Sequence, residues 1–234
     1  MAEVSVVVPA YREGKRLEST LNSLAVQTEE PLEVIVVAAG ERTLEVARSH
    51  PAVDRTLVDD REDGPGHARN RGAAVARGDV LCFTDADTVV PPAWVASHRR
   101  HYLTPEVVGV GGPLRPLERG LPHRLAFRVL ADWWYRVSWP VGFLQQPGPN
   151  CSVRREAFEA IGGFDEALPF LEDTDLSLRL GGEGAVVYDH TCPVSTSTRR
   201  QAREGYIGLF LTYLFGYLQY ALPGLEPTRE YFRR

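Results

Sequence analysis

The chain has 234 residues, a formal net charge of −5 at pH 7, and a composition that is 44% hydrophobic and 24% charged. A chain of this length can bury a core without a disulfide or a structural metal. These values are typical of a globular protein and argue against a general nucleic-acid-binding protein, which would be basic. The three cysteines, Cys82, Cys151 and Cys192, form no CxxC pair, which favours the reducing cytoplasm over a disulfide framework or zinc ribbon.

The first hundred residues alternate between short β-branched runs and helical patterns. The runs predict buried parallel strands over Val4–Val8, Leu32–Val37, Arg55–Val58 and Asp79–Thr84. The helical patterns lie around Leu17–Leu24, over Thr43–Ser49 and over His67–Arg77, with Gly78 expected to close the last helix. This alternation indicates an α/β layer fold with right-handed crossovers. The first strand begins without a basic region or cleavage site, so we expect no signal peptide and a cytoplasmic protein.

Beyond residue 105 the alternation breaks. Strands are predicted over Val107–Gly111, Gly148–Val153 and Ala185–Tyr188, and helices over Arg155–Ile161 and Glu172–Leu180. Between them, Gly112–Pro122 is rich in turn formers and Phe127–Trp139 is rich in aromatic residues. Because no repeat or low-complexity linker appears, we expect one domain over residues 1–205, followed by an apolar helix and tail over residues 206–234.

Two carboxylates follow the apolar strand that ends at Thr84. Asp85 and Asp87 are two positions apart, so in an extended chain both point to the same side. In an open α/β sheet, this end of a strand is where ligands bind. Facing carboxylates repel unless a cation lies between them, and Mg²⁺ is often held by one or two carboxylates plus substrate phosphates. An acidic turn after a strand is the alternative.

A second acidic group opens the helix at Glu172. Glu172 and Asp173 project about 100° apart on a helix, so one of them at most can act as a base toward a given site. Favourable charges in a first helical turn are the alternative. Two basic segments, Gly64–Gly72 and Thr196–Arg200, could bind a phosphate or lie on a solvated surface.

The histidines form no metal-ligand pattern. His98 and His101 are interpreted as parts of a surface helix, while His190 is either structural or a lone metal ligand. The sequence lacks the GxSxG elbow of a serine hydrolase, and no GxGxxG follows the first strand.

Taken together and in this order, these segments resemble the family 2 glycosyltransferases of the GT-A fold. The matching segments are Ser5–Glu13, Glu33–Val37, Gly66–Ala73, Ala76–Asp87, Asn150–Phe158, Ile161–Glu166 and Glu172–Leu180. The resemblance implies a GT-A-like three-layer α/β/α fold with a mainly parallel mixed central sheet. It also implies a nucleotide-sugar-binding half over residues 1–111 and an acceptor half over residues 112–205.

The resemblance implies an inverting glycosyltransferase that moves a sugar from a nucleotide-sugar donor to an acceptor hydroxyl, with Mg²⁺ or Mn²⁺ as cofactor. The residues that it assigns to the donor are Pro9, Tyr11, Glu13, Arg69, Asp85, Arg199 and Arg200. The metal would be held by Asp87 and Asp85, with His190 as a further candidate. Asp173 would be the catalytic base, with Glu172 beside it. The acceptor candidates are Asn150, Cys151 and Trp134.

Two positions depart from the family pattern. The acidic pair that usually follows the second strand is Ala38-Ala39 here, and the usual asparagine of the first loop is Arg12. Either backbone groups hold the nucleobase, or Arg12 and Glu41 substitute. A nucleotidyltransferase and a non-catalytic sugar-nucleotide-binding module therefore stay open as alternatives.

The segment Tyr206–Leu225 contains no charged residue. Three interpretations are open: an interfacial helix, a helix packed on the domain or in a homodimer, and a membrane span. Its tyrosines are of the type enriched at membrane interfaces. With the aromatic run, they suggest that the acceptor is lipid-linked or that the protein works at a membrane surface. The expected acceptor is thus a saccharide or a lipid-linked molecule, and peripheral contact would be with the inner face of the cell membrane.

Overall fold

The computed structural model describes residues 2–61, 63–118, 120, 145–168, 170–205, 208, 211–213 and 215–217. The strands are β1 Val4–Tyr11, β2 Glu33–Ala39, β3 Arg55–Val58, β4 Val80–Phe83, β5 Thr88–Val89, β6 Val107–Gly111, β7 Leu114–Pro116, β8 Cys151–Arg154, β9 Ala185–Tyr188 and β10 Val194–Thr196. The helices are α1 Gly14–Leu24, α2 Glu41–Ser49, α3 Pro65–Val75, α4 Trp94–His101, α5 Arg155–Ala160, α6 Glu172–Leu180 and α7 Arg199–Glu204. The aromatic run that contains Trp134 lies outside the described residues.

The described strands form a seven-stranded sheet in the order β3-β2-β1-β4-β8-β6-β9. Strand β8 runs antiparallel to both of its neighbours, and the other pairs are parallel. Successive residues of β1 point to opposite faces, so Val6 and Val8 join one buried cluster with α1 and α4, whereas Val7 joins another with α3 and α6. Helices therefore cover both faces, which confirms the predicted three-layer α/β/α fold.

A three-stranded sheet in the order β5-β10-β7 stands beside the central sheet and was not predicted. Its strands are only two or three residues long, too short for a recognisable alternation. Buried hydroxyls join two of them, with Thr88 Oγ1 3.0 Å from Thr196 Oγ1. This small sheet brings the start of α7 to the chain that follows β4, where the backbone N–H of Ser197 donates to Asp87 O at 3.2 Å.

The helix predicted to end at Arg77 ends at Val75, and the prediction that Gly78 closes it is wrong. The reason is a buried pair on the first two strands. The backbone N–H of Arg77 donates to Glu33 Oε1 at 2.6 Å, and that of Gly78 donates to Ser5 Oγ at 2.8 Å. These bonds draw the chain into an extended path before it enters β4.

The prediction of a surface position for His98 is also wrong. Its side chain is buried in α4, 2.7 Å from Ser152 Oγ through Nδ1 and 3.1 Å from Asn150 Oδ1 through Nε2. Burial lowers the pKa of His98 to about 4, so the ring is neutral at pH 7. The strand predicted from Gly148 begins instead at Cys151, because Gly148–Asn150 forms a 3-10 turn.

Cys82, Cys151 and Cys192 are free and buried. In the part of the chain that the structure describes, every helix falls short of the length and apolar character of a membrane span. Residues 208, 211–213 and 215–217 are helical, and this helix contacts the domain at Gly216 and at Tyr217, whose hydroxyl donates to Gln145 Oε1 at 3.0 Å.

The pair of Glu33 and Ser5 yields a first prediction. Burial would raise the pKa of Glu33, but hydrogen bonds from Ser5 and Arg77 and the charge of Arg77 hold it below its ordinary value of 4.5. We expect Glu33→Gln to lower the unfolding free energy at pH 7 by about 1.5 kcal/mol, since a charged acceptor is lost. This loss of stability should be complete above pH 4.5 and should vanish as the pH falls through the lowered pKa of Glu33.

Urea denaturation between pH 7 and pH 3.5 measures this difference. Glu159→Gln is the control, because the Glu159 side chain is 64% exposed, and it should change stability by less than about 0.5 kcal/mol. An equal loss for Glu33→Gln at both ends of the pH range would show that the charge of Glu33 is not responsible.

Candidate functional site

The candidate site lies where the parallel strands β1 and β4 end and antiparallel β8 begins. Glu13 follows β1, and Asp85 and Asp87 follow β4. The 3-10 turn at Gly148–Asn150 precedes β8, and the first turn of α6 lies beside it, because the backbone N–H of Gly148 donates to Asp173 Oδ2 at 2.9 Å. Elements from both predicted halves of the chain therefore meet at one edge of the sheet, where open α/β folds bind ligands.

Arg69 lies at the centre of the site and connects its two acidic groups. It is 2% exposed, and its guanidinium donates to Asp85 Oδ1 through Nη2 and to Glu172 Oε1 through Nη1, both at 2.8 Å. Burial would lower the pKa of Arg69, but the charges of Asp85 and Glu172 raise it above its ordinary value. The guanidinium also stacks on Phe164, with its central carbon 5.4 Å from the ring centroid. A permanent positive charge is thus fixed between the two carboxylates.

A second cation, Arg199, lies beside the carboxylates of Glu13 and Asp87. The guanidinium of Arg199, at the start of α7, donates to Glu13 Oε1, and its Nη2 lies 4.0 Å from Asp87 Oδ2. The side chain of Arg199 is 54% exposed, whereas that of Arg69 is 3% exposed. Arg200 is the second residue of the same helix.

Asp85 and Asp87 fit the donor chemistry of a hard divalent cation. Burial, followed by the negative charges of Asp85 and Glu13, raises the pKa of Asp87 to about 6. A cation would relieve this crowding of negative charge. Among the described residues no group of three or more His, Cys, Asp or Glu side chains is arranged to hold a metal. Two carboxylates suffice for Mg²⁺ or Mn²⁺ when substrate phosphates supply other ligands.

Asp173 is held in place by the turn that precedes β8. Besides the bond from Gly148, Asp173 Oδ1 accepts a hydrogen bond from the backbone N–H of Thr174 at 2.8 Å. Burial raises the pKa of Asp173 despite these bonds, and it raises the pKa of Glu172 together with the neighbouring charge of Asp173. A Cβ at Gly148 would lie 2.7 Å from Arg69 Nη2, so only glycine fits between the cation and the carboxylate.

The first loop is open to solvent. Pro9 lies inside β1, and Tyr11 at its end is 50% exposed, with the guanidinium carbon of Arg12 5.0 Å from the Tyr11 ring centroid. The backbone N–H of Arg12 donates to Ala39 O at 3.0 Å, which places this loop over the end of β2. The exposed ring of Tyr11 therefore offers a surface on which a planar ligand group could stack.

Two of the other candidates, Asn150 and Cys151, adjoin Gly148 at the edge of this cleft, and the Cys151 thiol lies 3.6 Å from Gly148 O. Asn150 and Cys151 are completely buried, and the Asn150 amide is used within the core, where it accepts from Trp94 Nε1 at 2.8 Å and donates to Cys192 O at 3.0 Å. His190 follows β9 and is exposed, with its ring centroid 4.7 Å from that of Tyr188. Their predicted contacts with acceptor and metal stay predictions.

The model of glycosyl transferase family 2 matches residues 5–162. The chain belongs to glycosyl transferase family 2. The matched residues contain Glu13, Arg69, Asp85 and Asp87, while Asp173 and Arg199 lie beyond them. The site described above is thus formed by residues within the family 2 match together with residues that follow it in the sequence.

Relatives with assigned functions transfer different sugars. A glucosyl-dolichyl phosphate glucuronosyltransferase of Haloferax volcanii is 30% identical over 178 residues, which cover 70% of this chain and 56% of that protein. An N-acetylglucosaminyl-diphospho-decaprenol L-rhamnosyltransferase of Mycobacterium tuberculosis is 30% identical over 219 residues, which cover 76% of this chain and 70% of that protein. The chain therefore spans little more than half of the first of these family 2 relatives.

Solved structures of low identity share the fold. A mannosyltransferase of Pyrobaculum calidifontis, in complex with GDP-Man and Mn²⁺, aligns with a TM-score of 0.67 at 20% identity over 93% of this chain and 64% of its own. The glucosyl-3-phosphoglycerate synthase of Mycobacterium tuberculosis, in complex with Mn²⁺, UDP and phosphoglyceric acid, aligns with a TM-score of 0.62 at 21% identity over 92% of this chain and 78% of its own. These alignments confirm the GT-A fold of this family 2 chain.

Sequence reasoning missed two contributors to the site. The backbone N–H of Gly148 binds the proposed base, and the Gly148-Pro149-Asn150 run is a turn signal that could have indicated it. The pairing of Glu13 with Arg199 joins residues 186 positions apart, and no local pattern announces such a contact.

The central position of Arg69 yields a second prediction. Arg69→Met would leave the buried carboxylates of Asp85 and Glu172 without their cation, and the unfolding free energy should fall by about 3 kcal/mol. Combining it with Glu172→Gln removes one uncompensated charge, so the double variant should be more stable than Arg69→Met alone. Chemical denaturation at pH 7 measures both differences.

Arg16→Met is the matched control. The Arg16 side chain is 44% exposed and pairs with Glu13 across a single helical turn, so its loss should cost less than about 0.5 kcal/mol. If Arg69→Met cost no more than this control, Arg69 would not be the interaction that holds the site together.

Proposed function

We propose that this chain is an inverting glycosyltransferase that moves a sugar from a nucleotide-sugar donor to an acceptor hydroxyl, using a divalent metal. The observation that carries the proposal is the pair of acidic groups that Arg69 connects. One group, Asp85 and Asp87, suits a metal and diphosphate, while the other, Glu172 and Asp173, suits a base. In this proposal residues 1–111 bind the donor and residues 112–205 bind the acceptor.

Asp173 is the base in this proposal. Its carboxylate accepts the proton of the acceptor hydroxyl while the hydroxyl oxygen forms a bond to the anomeric carbon. The bond from that carbon to the diphosphate breaks on the opposite face, its electron pair leaves with the diphosphate, and the configuration inverts. The raised pKa of Asp173 suits this role, because a more basic carboxylate takes a proton more readily. Glu172 is bound to Arg69 and serves to hold that cation.

The departing diphosphate gains negative charge, and the site supplies cations for it. Arg69 is fixed beside Asp85, and the exposed Arg199 can approach from the other side, with Arg200 next to it in the same helix. A divalent ion bound by Asp85 and Asp87 would add positive charge at the leaving group. Pro9, Tyr11 and Glu13, on the loop after β1, are proposed to contact the nucleoside.

A lipid-linked saccharide is the acceptor class that we propose. Two family 2 relatives are named for dolichyl phosphate and decaprenol substrates. In the described part of the carboxy-terminal segment, Leu211 and Phe215 are one helical turn apart and are 55% and 62% exposed. Apolar side chains at this spacing could contact the lipid part of such an acceptor at a membrane surface.

Binding of nucleotides gives a third prediction. We expect one nucleoside diphosphate, with Mn²⁺ present, to raise the melting temperature by about 5 °C when it is near 100 times its dissociation constant. Asp87→Ala should abolish the part of this shift that depends on Mn²⁺, since a metal ligand is lost. Glu183→Gln, an exposed carboxylate in the turn after α6, is the control and should keep the full shift.

The same thermal-shift panel, together with an assay for release of nucleoside diphosphate, separates the alternatives. Stabilisation by a nucleoside triphosphate with metal, in place of a diphosphate, would favour a nucleotidyltransferase. Binding of a nucleotide sugar without turnover would favour a non-catalytic module. An unchanged Mn²⁺ effect in Asp87→Ala would refute the metal assignment.

Replacement of the base gives a fourth prediction. Asp173→Asn should lower kcat by at least about 100-fold, because general base catalysis is lost, while the thermal shift with donor stays as in the wild type. Release of nucleoside diphosphate, assayed with free saccharides and with polyprenyl-linked saccharides, measures the rate and tests the acceptor class. Asp165→Asn, an exposed residue before α6, is the control. Full activity of Asp173→Asn would exclude Asp173 as the base.

A further inference from the structure

The carboxy-terminal helix packs directly on the chain that leads into α6. Gly216 is buried there, and a Cβ at this position would lie 2.2 Å from Phe170 Cε2 and 3.2 Å from Leu171 Cδ1. Only glycine therefore permits this approach. Leu171 immediately precedes Glu172 and has a left-handed backbone, with φ 64°, a conformation that residues with bulky side chains rarely adopt. The helix thus covers a strained residue next to the proposed base.

Tyr217, the residue after Gly216, contacts the second segment that holds Asp173, residues 145–148. Its hydroxyl donates to Oε1 of Gln145, which is 2% exposed. The next residue, Gln146, donates its backbone N–H to Ser177 Oγ at 2.8 Å, and the Ser177 hydroxyl donates to Asp173 O at 2.6 Å. Tyr217 is therefore bonded to the same short segment that binds α6.

That segment ends at the carboxylate itself. Three residues after Gln145, the backbone N–H of Gly148 donates to Asp173 Oδ2. Residues 145–148 thus contact Asp173 at its carbonyl, through Ser177, and at its carboxylate. Among the described residues Gln145 Nε2 is buried without a hydrogen-bond partner, whereas Gln145 Oε1 accepts from Tyr217, so this bond anchors the amide in the core.

The electrostatic environment of Tyr217 also shows that its hydroxyl lies close to Asp173. Burial, followed by the negative charge of Asp173, raises the pKa of Tyr217. The hydroxyl therefore stays protonated and continues to donate throughout the pH range in which Asp173 titrates.

We propose that Tyr217 is a positioning residue for Asp173, acting through Gln145 and the backbone of Gly148. The inference rests on the proposed function, since it gives the carboxy-terminal helix a part in orienting the base of that reaction. Loss of the Tyr217 hydroxyl leaves the buried Gln145 Oε1 without its donor and loosens residues 145–148. The Gly148 hydrogen bond favours the ionised carboxylate, so weakening it raises the pKa of Asp173.

The test is Tyr217→Phe, which removes one hydroxyl and keeps the ring. We expect kcat to fall about tenfold, with KM for the donor changed less than about twofold. The acid limb of the kcat–pH profile should move up by about half a unit to one unit. Tyr102→Phe is the matched control: it removes another buried hydroxyl, 2.8 Å from Ser152 Oγ, and should leave the profile in place.

A double-variant cycle tests the route through Gln145. Gln145→Leu should reproduce the effect of Tyr217→Phe, and the two together should be no worse than Gln145→Leu alone, when the bond to Gln145 and not the contact of the Tyr217 hydroxyl with Thr174 carries the effect. Additive losses would mean that Tyr217 acts by another route, which overturns the inference.

Hydrogen–deuterium exchange tests the inference without any activity. The Gly148 amide should exchange about tenfold faster in Tyr217→Phe than in the wild type or in Tyr102→Phe. Unchanged exchange at Gly148 together with an unchanged pH profile would overturn the inference. A wild type that turns over no nucleotide sugar would instead refute the proposed function, and the exchange experiment would still decide whether Tyr217 holds Asp173.

Discussion

The guanidinium group of Arg69 is buried between two carboxylates, one directly after β4 and the other at the start of α6. Its charge is tolerated in the interior because Asp85 and Glu172 accept its hydrogen bonds. This requirement fixes the distance between the end of β4 and the start of α6. It also demands glycine at position 148, where any side chain would collide with the cation. The proposed diphosphate site and the proposed base are therefore connected by one buried ion group, Asp85–Arg69–Glu172, so that a change at either carboxylate alters the position of the same cation.

Most of the fold could be predicted from the sequence because its signals are local. Strands covered by helices on both faces read as continuous apolar runs, as in Val4–Val8, and the structure confirms these runs as a central sheet. The position of Asp85 and Asp87 could also be anticipated, because carboxylates directly after a buried strand must lie at the sheet edge. The roles of these residues, and of Asp173, stay predictions that rest on the family resemblance and on the geometry described above.

The remaining features depend on contacts between distant residues, which leave no periodic trace. The strands of the small sheet are too short to show an alternation, and His98 looks like a surface residue until Asn150 and Ser152 are placed beside it. The bond between Tyr217 and Gln145 joins positions 72 residues apart. Such pairings depend on the packed fold, and they leave no signal within a short stretch of a single sequence.

The pairing of β4 with β8 has a consequence for the chemistry of the thiols. Cys82 and Cys151 lie on these two strands, which join the predicted donor and acceptor halves in antiparallel register. Both side chains are completely buried, and burial raises the pKa of both thiols. Since only an accessible thiolate reacts with alkylating agents, neither sulfur can be modified until the strands part. The rate at which an alkylating agent modifies these two cysteines in the native protein therefore reports how often β4 and β8 separate.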